Sequence, residues 1–477
     1  MEPYVLKYNE LDFTGVASIQ QLNDLLAKYG CNRVLIKKLV KNNNDKNQIY
    51  FHHDASLLNS VFSLSFGMRS RSKSNKKAGT YLGEMIPEAR FDSFAWCSTN
   101  GVLHTVKHCK GILYLQYPEV RLSGFKAESG VMPYAISVEF TKLHPQVPRY
   151  LAIGATQSGK AFAAMIVSPE REFCEGFEEL SYFHSSKICK FFYIKENKLQ
   201  NTATATLKTA LLNHVLGKDM KGCRLKPDGS TVPFTGTQVH GYTLEHALGI
   251  ATNASKDGDF LGIELKCFTR NKLTLFTPEP DGGLYADSFE QFMLKYGYAK
   301  EAVYRFTGLH RVGQVCESSQ LSLEVLCMES KRNGGELMPY DPNKPFHKQM
   351  QGLNVVLRDQ EGTVAASWSL TRLLNNWGVK HNEVVYVPAA VKENTIRAEF
   401  EEGYKKRIFF GSNVLWCQKT SLEKMINAIA TGIIFLDPAP KLDTDNPRNN
   451  KRRSQWRINN IYKDSQYLYE SVENFPE

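Results

Sequence analysis

The stretch that decides the fold of the second half of the chain is Asp259-Phe-Leu-Gly-Ile-Glu264-Leu-Lys266. Glu264 and Lys266 are two residues apart, so on a β-strand both side chains point to one face. Ile263 and Leu265 then point to the opposite face, which predicts a hydrophobic core behind the strand. Asp259 lies just upstream, where a loop or the beginning of the strand could bring a second carboxylate against Glu264.

Two converging carboxylates beside a lysine suit metal-assisted hydrolysis of a phosphodiester. The carboxylates repel each other unless a cation lies between them, and carboxylate oxygens are ligands that Mg²⁺ prefers. A lysine at such a site can hold, orient or deprotonate the attacking water, while the metal stabilises the developing charge. Upstream, the segment Thr243-Leu-Glu-His-Ala-Leu-Gly249 predicts a short helix that brings Glu245 to the site, where it could support the metal or position the lysine.

An isolated Asp…Glu-x-Lys pattern is short and common, and it usually marks a solvent-facing pair on an ordinary strand. The surrounding sequence favours a site instead. Gly241-Tyr-Thr-Leu-Glu245, Asp259–Lys266 and Leu273-Thr-Leu-Phe-Thr-Pro-Glu-Pro280 closely resemble segments of the MvaI/BcnI restriction endonuclease family. That family is related to the mismatch-repair nickase MutH and belongs to the PD-(D/E)xK nucleases.

The resemblance extends over roughly residues 205–477, because further segments follow in the order expected of larger family members. These segments are Phe306-Thr-Gly-Leu-His-Arg-Val-Gly313, Ala366-Ser-Trp-Ser369, Tyr386-Val-Pro388, Asp437-Pro-Ala-Pro-Lys-Leu442 and Arg453-Ser-Gln-Trp-Arg-Ile458. One departure is that Gly258, and not proline, precedes Asp259. MutH-like members commonly lack that proline too, so the catalytic residues carry over.

The resemblance implies a sequence-specific double-stranded DNA endonuclease of the type II restriction kind, dependent on Mg²⁺ with Mn²⁺ as a substitute. Asp259 and Glu264 would bind the metal, Lys266 would position or activate water, and Glu245 would support the metal or the lysine. It further implies a monomer that nicks one strand and then the other. A partner DNA methyltransferase acting on the same site and an anti-phage role in a prokaryotic cytoplasm are also implied.

Two rival hypotheses remain at this point. One is a MutH-like, strand-specific DNA nickase, against which the large N-terminal addition argues mildly. The other is a non-catalytic DNA-binding regulator that keeps the nuclease fold. The presence of all four residue types at the expected positions argues against the second rival.

The 477 residues suit two or three domains, each large enough to bury a core. We predict a mixed α/β protein. Residues 201–477 would form a PD-(D/E)xK nuclease domain with a mixed sheet flanked by helices, and residues 1–200 a strand-rich α/β domain that is a candidate DNA-binding or effector module. Hydrophobic periodicity predicts helices over residues 19–28, 203–216 and 288–296.

Several further elements are predicted from local patterns. Tyr134–Phe140 alternates like a strand, and Gly352–Arg358 with Thr363–Trp368 is typical of a hairpin. Thr420-Ser-Leu-Glu423 fits a capping box at the beginning of a helix. Gly154-Ala-Thr-Gln-Ser-Gly-Lys160 imitates a phosphate-binding loop, but Ala161 follows where Ser or Thr is needed, so we predict a hairpin turn.

The net charge is +10, and residues 1–200 hold 25 basic and 18 acidic residues, so they carry most of the excess. This balance fits a polyanionic partner without establishing one. Arg69-Ser-Arg-Ser-Lys-Ser-Asn-Lys-Lys77 places five cations in nine residues. It is either a solvated loop or a non-specific, salt-sensitive contact with DNA phosphates.

Base readout requires donors that reach groove edges, and arginine to guanine is the most frequent specific pair. For each candidate, backbone contact or ordinary surface charge is equally compatible with the sequence. The candidates are His310, Arg311, Arg452, Arg453, Gln455 and Arg457. His240, just before the motif, is interpreted as a loop residue.

The remaining features indicate an ordinary intracellular protein. The ten cysteines are scattered without a Cys-x-x-Cys pair, which favours a reduced compartment, and Cys267 is interpreted as a packing residue. No signal peptide is evident at Met1. The longest apolar run, Ala161–Val167, is far shorter than the roughly 20 residues that a membrane helix needs.

Overall fold

The computed structural model describes residues 8–40, 48–52, 55–70, 85–114, 119–183, 187–194, 203–251, 259–260, 262–328, 336–378 and 381–476. These form two compact units, an N-terminal unit up to residue 194 and a C-terminal unit from residue 203 onward. Residues 71–77 of the predicted basic loop lie outside the described residues. Within the described part of the chain, no helix has the length and apolar character needed to cross a membrane.

The described part of the N-terminal unit contains two sheets and four helices. Its strands are β1 (Asp12–Thr14), β2 (Cys31–Leu39), β3 (Ile49–His52), β4 (Leu64–Ser70), β5 (Met85–Phe91), β6 (Phe94–Trp96), β7 (His104–Thr105), β8 (Lys110–Tyr114), β9 (Glu119–Ser123), β10 (Arg149–Thr156), β11 (Ala161–Val167) and β12 (Lys190–Tyr193). Its helices are α1 (Ile19–Ala27), α2 (Ala55–Asn59), α3 (Val138–Leu143) and α4 (Arg171–Glu179). One sheet has the order β12-β2-β10-β11-β6-β7 with β1 on β11, and the other is β3-β9-β8-β5-β4.

The loop that resembles a phosphate-binding loop is a hairpin turn, as predicted. Strands β10 and β11 are antiparallel, with Ala155 paired to Ala161, and Gly159 adopts a φ of +84° in the turn. Ala161 is fully buried at the beginning of a strand, where a phosphate-binding loop would begin a helix.

The strand predicted over Tyr134–Phe140 is wrong. The chain forms a short 3₁₀ helix over Tyr134–Ile136 and then helix α3. The Ser137 hydroxyl accepts a hydrogen bond from the Phe140 amide at 3.0 Å and caps the first turn of that helix. Local capping by a serine therefore outweighs an apolar alternation that is only a few residues long.

The C-terminal unit contains eighteen strands and eight helices among its described residues. The strands are β13 (Asp219–Lys221), β14 (Cys223–Leu225), β15 (Thr231–Pro233), β16 (Glu264–Phe268), β17 (Leu273–Phe276), β18 (Tyr298–Lys300), β19 (Val303–Arg305), β20 (Ser322–Met328), β21 (Leu337–Pro339), β22 (Asn354–Arg358), β23 (Val364–Ser369), β24 (Glu383–Glu393), β25 (Lys406–Phe410), β26 (Val414–Gln418), β27 (Ile434–Leu436), β28 (Lys441–Asp443), β29 (Trp456–Ile458) and β30 (Ser471–Phe475). The helices are α5 (Ala203–His214), α6 (Val239–Ala247), α7 (Leu284–Asp287), α8 (Phe289–Tyr296), α9 (Leu370–Asn376), α10 (Arg397–Glu401), α11 (Leu422–Ala430) and α12 (Ile461–Asp464).

A mixed sheet built around β24 organises this unit. Its order is β13-β25-β24-β26-β30, and β16 joins β24 in parallel while β25 and β26 pair with β24 antiparallel. Helices α5 and α6 cover the sheet through a buried cluster that includes Leu211, Leu244, Ile263 and Trp416. The predicted mixed sheet flanked by helices, and the mixed α/β class, are confirmed.

Smaller sheets complete the unit. They are β17-β29-β27, β18-β19-β28, β14-β15 and β21-β20-β22-β23. The predicted hairpin is present as β22 and β23, and the predicted helices are present as α1, α5 and α8. The cap of α11 is Ser421, whose hydroxyl accepts from the Lys424 amide, and not Thr420 as the capping-box pattern predicted.

Candidate active site

The predicted Glu-x-Lys strand is β16, which lies against the centre of the mixed sheet. Glu264 pairs with Val384 and Lys266 with Tyr386 on β24. Ile263, just before the strand, is fully buried, and Glu264 is only 6% exposed. The Lys266 ammonium donates to Glu264 Oε1 at 3.1 Å. Because Glu264 is buried, this pair is not the solvent-facing pair of an ordinary amphipathic strand.

Asp259 is held beside the beginning of β16 by a tight turn. The amides of Asp259 and Phe260 both donate to the Ile263 carbonyl, and Gly262 takes a φ of +91° that favours glycine. Asp259 Oδ2 accepts a hydrogen bond from the Leu265 amide at 2.9 Å. The turn therefore brings the second carboxylate back to the strand that carries Glu264.

Glu245 lies near the end of helix α6, as the sequence predicted. Burial, and after it the negative charges of Asp259 and Glu264, raise the pKa of its carboxyl to about 7. Glu245, Asp259 and Glu264 are therefore close enough to interact electrostatically. Such crowding of like charges in a partly buried place is typical of a functional site.

The residues present suit a hard divalent cation in their chemistry. All three are carboxylates, which Mg²⁺ prefers, and the repulsion that raises the pKa of Glu245 is what a cation would relieve. In this conformation the described residues contain no group of three or more His, Cys, Asp or Glu side chains arranged to hold a metal. Two of the carboxylates are instead engaged by the Leu265 amide and the Lys266 ammonium.

A polar cleft of about 1030 Å³ opens beside this cluster. It brings predicted catalytic residues together with predicted DNA-contacting residues that are nearly 200 positions away in sequence. Its lining residues are Thr237, Gln238, His240, Gly241, Tyr242, Glu245, Leu265, Lys266, Cys267, Phe268, Thr269, Arg270, Lys272, Leu273, Thr274, Thr277, Glu279, Arg452, Arg453, Gln455 and Arg457.

One wall of the cleft is the pair of strands β17 and β29. Arg457 on β29 donates to Asp437 Oδ2 at 3.1 Å and to Gln455 Oε1 at 2.6 Å, which restrains its guanidinium. Lys272 contacts the same Asp437 carboxylate at 2.5 Å. Asp437 was not predicted as a site residue; its only sequence signal was the Asp437-Pro-Ala-Pro segment, which carried the family resemblance.

The segment before β29 is anchored by two further contacts. The Arg452 guanidinium lies over the rings of Tyr285 and Phe289, at 5.6 and 4.7 Å from the ring centres. Glu279 Oε1 accepts from the Ser454 amide at 3.1 Å. Buried anchors thus fix the backbone that presents the basic side chains to the cleft.

Two of the six predicted DNA-contacting residues do not line the cleft. His310 is fully buried, with Nε2 bonded to the Ser319 hydroxyl at 2.8 Å and its ring stacked on Phe306. The Arg311 guanidinium donates to the Gly432 carbonyl and lies 4.0 Å from the centre of the Phe435 ring. A fully buried ring cannot reach a groove edge, so in this conformation His310 has a packing role.

His240 and Cys267 both line the cleft. His240 lies in the first turn of α6, so the loop position expected for it is wrong. Burial lowers the pKa of the His240 ring and raises the pKa of the Cys267 thiol. A thiol with a raised pKa is a poor nucleophile, which agrees with the packing role expected of Cys267.

The family model of the MvaI/BcnI restriction endonuclease family matches residues 220–469, which is just over half of the chain. The chain belongs to this family. It is accordingly a type II restriction endonuclease, a DNA-binding, sequence-specific deoxyribonuclease. No curated protein matches the chain.

Two solved structures of the restriction endonuclease MvaI are similar over part of the chain. The complex of MvaI with its cognate DNA substrate is 17% identical with a TM-score of 0.40, and MvaI in the absence of DNA is 18% identical with a TM-score of 0.31. Each comparison covers 58% of this chain and 99% of the MvaI chain. These similarities are too low to add to the family match.

Proposed function

We propose that this endonuclease hydrolyses double-stranded DNA with Mg²⁺, or with Mn²⁺ in its place, at the site formed by Glu245, Asp259, Glu264 and Lys266. The observation that carries the proposal is the raised pKa of Glu245, which burial and two neighbouring carboxylates cause. A stable fold gains nothing from three crowded carboxylates, so their convergence beside a basic cleft favours a catalytic role.

Each residue has a distinct task in this proposal. Asp259 and Glu264 would hold the cation, which would supply the positive charge that stabilises the negative charge developing on the phosphate. Lys266, whose ammonium lies 3.1 Å from Glu264 Oε1, orients the attacking water and the phosphate. Glu245 has a pKa of about 7, so it can accept or release a proton near neutral pH.

The DNA would lie in the cleft against the β17–β29 wall. Arg452, Arg453, Gln455 and Arg457 all line it, and they supply three positive charges and an amide. Arg457 is restrained by Asp437 and Gln455, which suits a contact of fixed geometry such as a guanine edge. Arg453 suits a phosphate contact, which needs charge more than orientation.

The experiment that tests this function is digestion of phage DNA with Mg²⁺ beside an EDTA control, followed by sequencing of the fragment ends. Discrete, metal-dependent fragments with one shared end sequence would support the proposal and reveal the target. Cutting that persists in EDTA would contradict the metal requirement. Cutting at random positions would contradict site-specific recognition in the cleft.

We also infer that the enzyme acts as a monomer that nicks one strand and then the other. On a supercoiled plasmid with one site, a nicked intermediate should rise and then decay to linear DNA at a rate proportional to enzyme concentration. Product that remains nicked would indicate a strand-specific nickase instead. A partner methyltransferase acting on the same sequence, and a cytoplasmic anti-phage role, complete this proposal; prior methylation of the target should block cutting.

We further propose that the N-terminal unit, residues 1–200, is a DNA-binding module. One face of strands β4, β5, β8 and β9 is apolar and includes the buried Phe66, Ala89 and Leu122. We name the opposite face the basic sheet face; besides its cations it carries the buried Ile86, Glu88 and Ile112. The basic sheet face carries Arg69, Arg90, Lys110 and Arg121, which strand register places on the same side. Its charge complements a phosphate backbone.

The double variant Arg90→Gln/Arg121→Gln tests the basic sheet face, because it removes two charges and leaves Lys110 and Arg69 beside the buried Glu88. In a catalytically inactive background, we expect weaker DNA binding and a decrease of about 2 in the salt-dependence slope. The matched control, Lys142→Gln/Arg171→Gln, removes two exposed charges from helices α3 and α4 of the same unit. Equal effects of both double variants would contradict a localised surface.

A further inference from the structure

The fold of helix α6 does not require the glycine at position 241. Glycine inside a helix is less favourable than alanine, because it loses more conformational freedom on folding. The helix is regular across this position, since the Tyr242 amide donates to the Gln238 carbonyl at 3.2 Å, and Gly241 does not have a positive φ. A Cβ atom on Gly241 would meet no atom of the described residues within 4 Å, apart from its chain neighbours and the backbone of its own helix.

A second helical glycine, Gly176 in α4, shows what a packing requirement is like. A Cβ atom on Gly176 would lie 3.1 Å from Cγ1 of Ile19, in helix α1 of the same unit. Close packing of the two helices accounts for a glycine there. Among the described residues, no contact of this kind accounts for Gly241.

Gly241 lies on the side of α6 that faces the cleft. Val239 and Thr243 are buried on the other side, where the Thr243 hydroxyl accepts from the Cys223 amide at 3.2 Å. Because two residues turn a helix by about 200°, Gly241 and Glu245 lie nearly opposite that buried side, and both line the cleft. The missing side chain therefore leaves the helix backbone open to the cleft one turn before Glu245.

We propose that Gly241 is a close-approach position, at which the sugar-phosphate chain of the strand being cut lies in van der Waals contact with the backbone of α6. Lys266, Arg453 and Arg457 line the same cleft and attract the phosphates. A surface without a side chain lets that chain come near the helix that carries Glu245, and glycine is the residue that permits close approach of backbone to a ligand. This inference deepens the proposed function and rests on it.

The test lengthens the side chain at this position in the full-length protein. Gly241→Ala and Gly241→Gln add a methyl group and a longer neutral side chain, and both residues favour a helix more than glycine does. Without DNA, the melting temperature should stay the same or rise by roughly 1–3 °C. With phage DNA and Mg²⁺, kcat/KM should fall several-fold for Gly241→Ala and about 100-fold for Gly241→Gln, because a displaced strand no longer meets the catalytic groups.

Two controls distinguish failure of this inference from failure of the proposed function. Gly176→Ala makes the same change in a helix outside the cleft lining, so its kcat/KM should equal that of the wild type. Glu264→Gln should abolish cleavage; if it does not, the proposed catalytic site is wrong and the close approach fails with it.

The combination of activity and stability decides the outcome for Gly241. A loss of kcat/KM that grows with side-chain size, at an unchanged or raised melting temperature, supports the close approach. If Glu264→Gln is inactive and both Gly241 variants cut with the kcat/KM of the wild type, only the close approach is overturned. A loss that comes with a lowered melting temperature also overturns it, because the glycine would then serve the fold of α6.

Discussion

Glu88 in the N-terminal unit and Glu264 in the C-terminal unit are both buried on strands, and their surroundings are opposite. Glu88 on β5 is 1% exposed and contacts three cations, Arg90 at 2.7 Å, Lys110 at 2.8 Å and Arg69 at 4.0 Å. Glu264 on β16 is 6% exposed, and the Lys266 ammonium contacts it at 3.1 Å. The negative charges of Glu264 and Asp259 both raise the pKa of a third carboxyl, that of Glu245.

The pKa values follow from this difference. Burial raises the pKa of Glu88, but the hydrogen bonds from Lys110 and Arg90 outweigh it, and the pKa lies below its ordinary value. At the other site, burial and like charges together raise the pKa of Glu245 to about 7. Burial of a glutamate alone therefore does not distinguish the two places. The balance of charge does, because a stabilising cluster has an excess of cations and a candidate catalytic cluster an excess of anions.

The largest expected effect is on catalysis. Glu264→Gln or Lys266→Ala should reduce the single-turnover cleavage rate by about 10³-fold or more, since each removes a group that acts on the reacting phosphate. DNA affinity, measured in Ca²⁺ or without metal, should change only a few-fold. Glu88→Gln is the matched control, a neutralised buried glutamate outside the cleft, and it should cut at the wild-type rate at a temperature where it is folded.

The next effect is on stability, and here the larger loss is expected for the Glu88 variant and the smaller loss for the Glu264 variant. Glu88→Gln should lower the free energy of unfolding by about 1–3 kcal/mol, because Arg90 and Lys110 lose a buried, charged hydrogen-bond acceptor and Arg69 loses a nearby anion. Since the pKa of Glu88 is lowered on folding, this contribution is present at neutral pH and is lost as the pH falls through its folded pKa. Urea denaturation at pH 7 and pH 3 would measure it. A Glu264→Gln protein that is destabilised as much as Glu88→Gln would refute the contrast.

The smallest expected effect is on the pH dependence of stability, and it comes from Glu245 in the carboxylate cluster. The folded protein retains the Glu245 proton between pH 4.5 and about pH 7, so raising the pH through this range costs stability. Without divalent metal, Glu245→Gln should therefore be more stable than the wild type at pH 8, by about 2 kcal/mol, and equal to it near pH 4.5. Thermal melts across this range would test it; a difference that does not depend on pH would exclude the charge-crowding explanation.

Local sequence patterns were sufficient to predict a strand or helix where apolar residues recur at regular spacing. The alternation around Glu264 and Lys266 predicted the strand, and the apolar spacing around Glu245 predicted the helix. The same reasoning failed at Tyr134–Phe140, where the Ser137 cap decides in favour of helices. It also placed the cap of α11 one residue early, at Thr420 instead of Ser421, because both are good capping residues and only the backbone geometry separates them.

Long-range contacts set the limit of sequence reasoning. Nothing in the local sequence of His310 indicates that its ring stacks on Phe306 in the core, so a surface role was an equally valid hypothesis. Asp437 was missed because its importance comes from Arg457 and Lys272, and the three meet only when β17 pairs with β29.

The strand pairings of the cleft also determine when, during synthesis of the chain, the cleft can form. Strand β16 pairs with residues 384–388, and β17 pairs with residues 456–458, so both join segments more than a hundred residues apart. Such non-local pairs form only after the distant partner has been synthesised. A nascent chain on the ribosome therefore has no complete cleft until residues 456–458 have been synthesised, and a chain that terminates before them lacks the β29 wall.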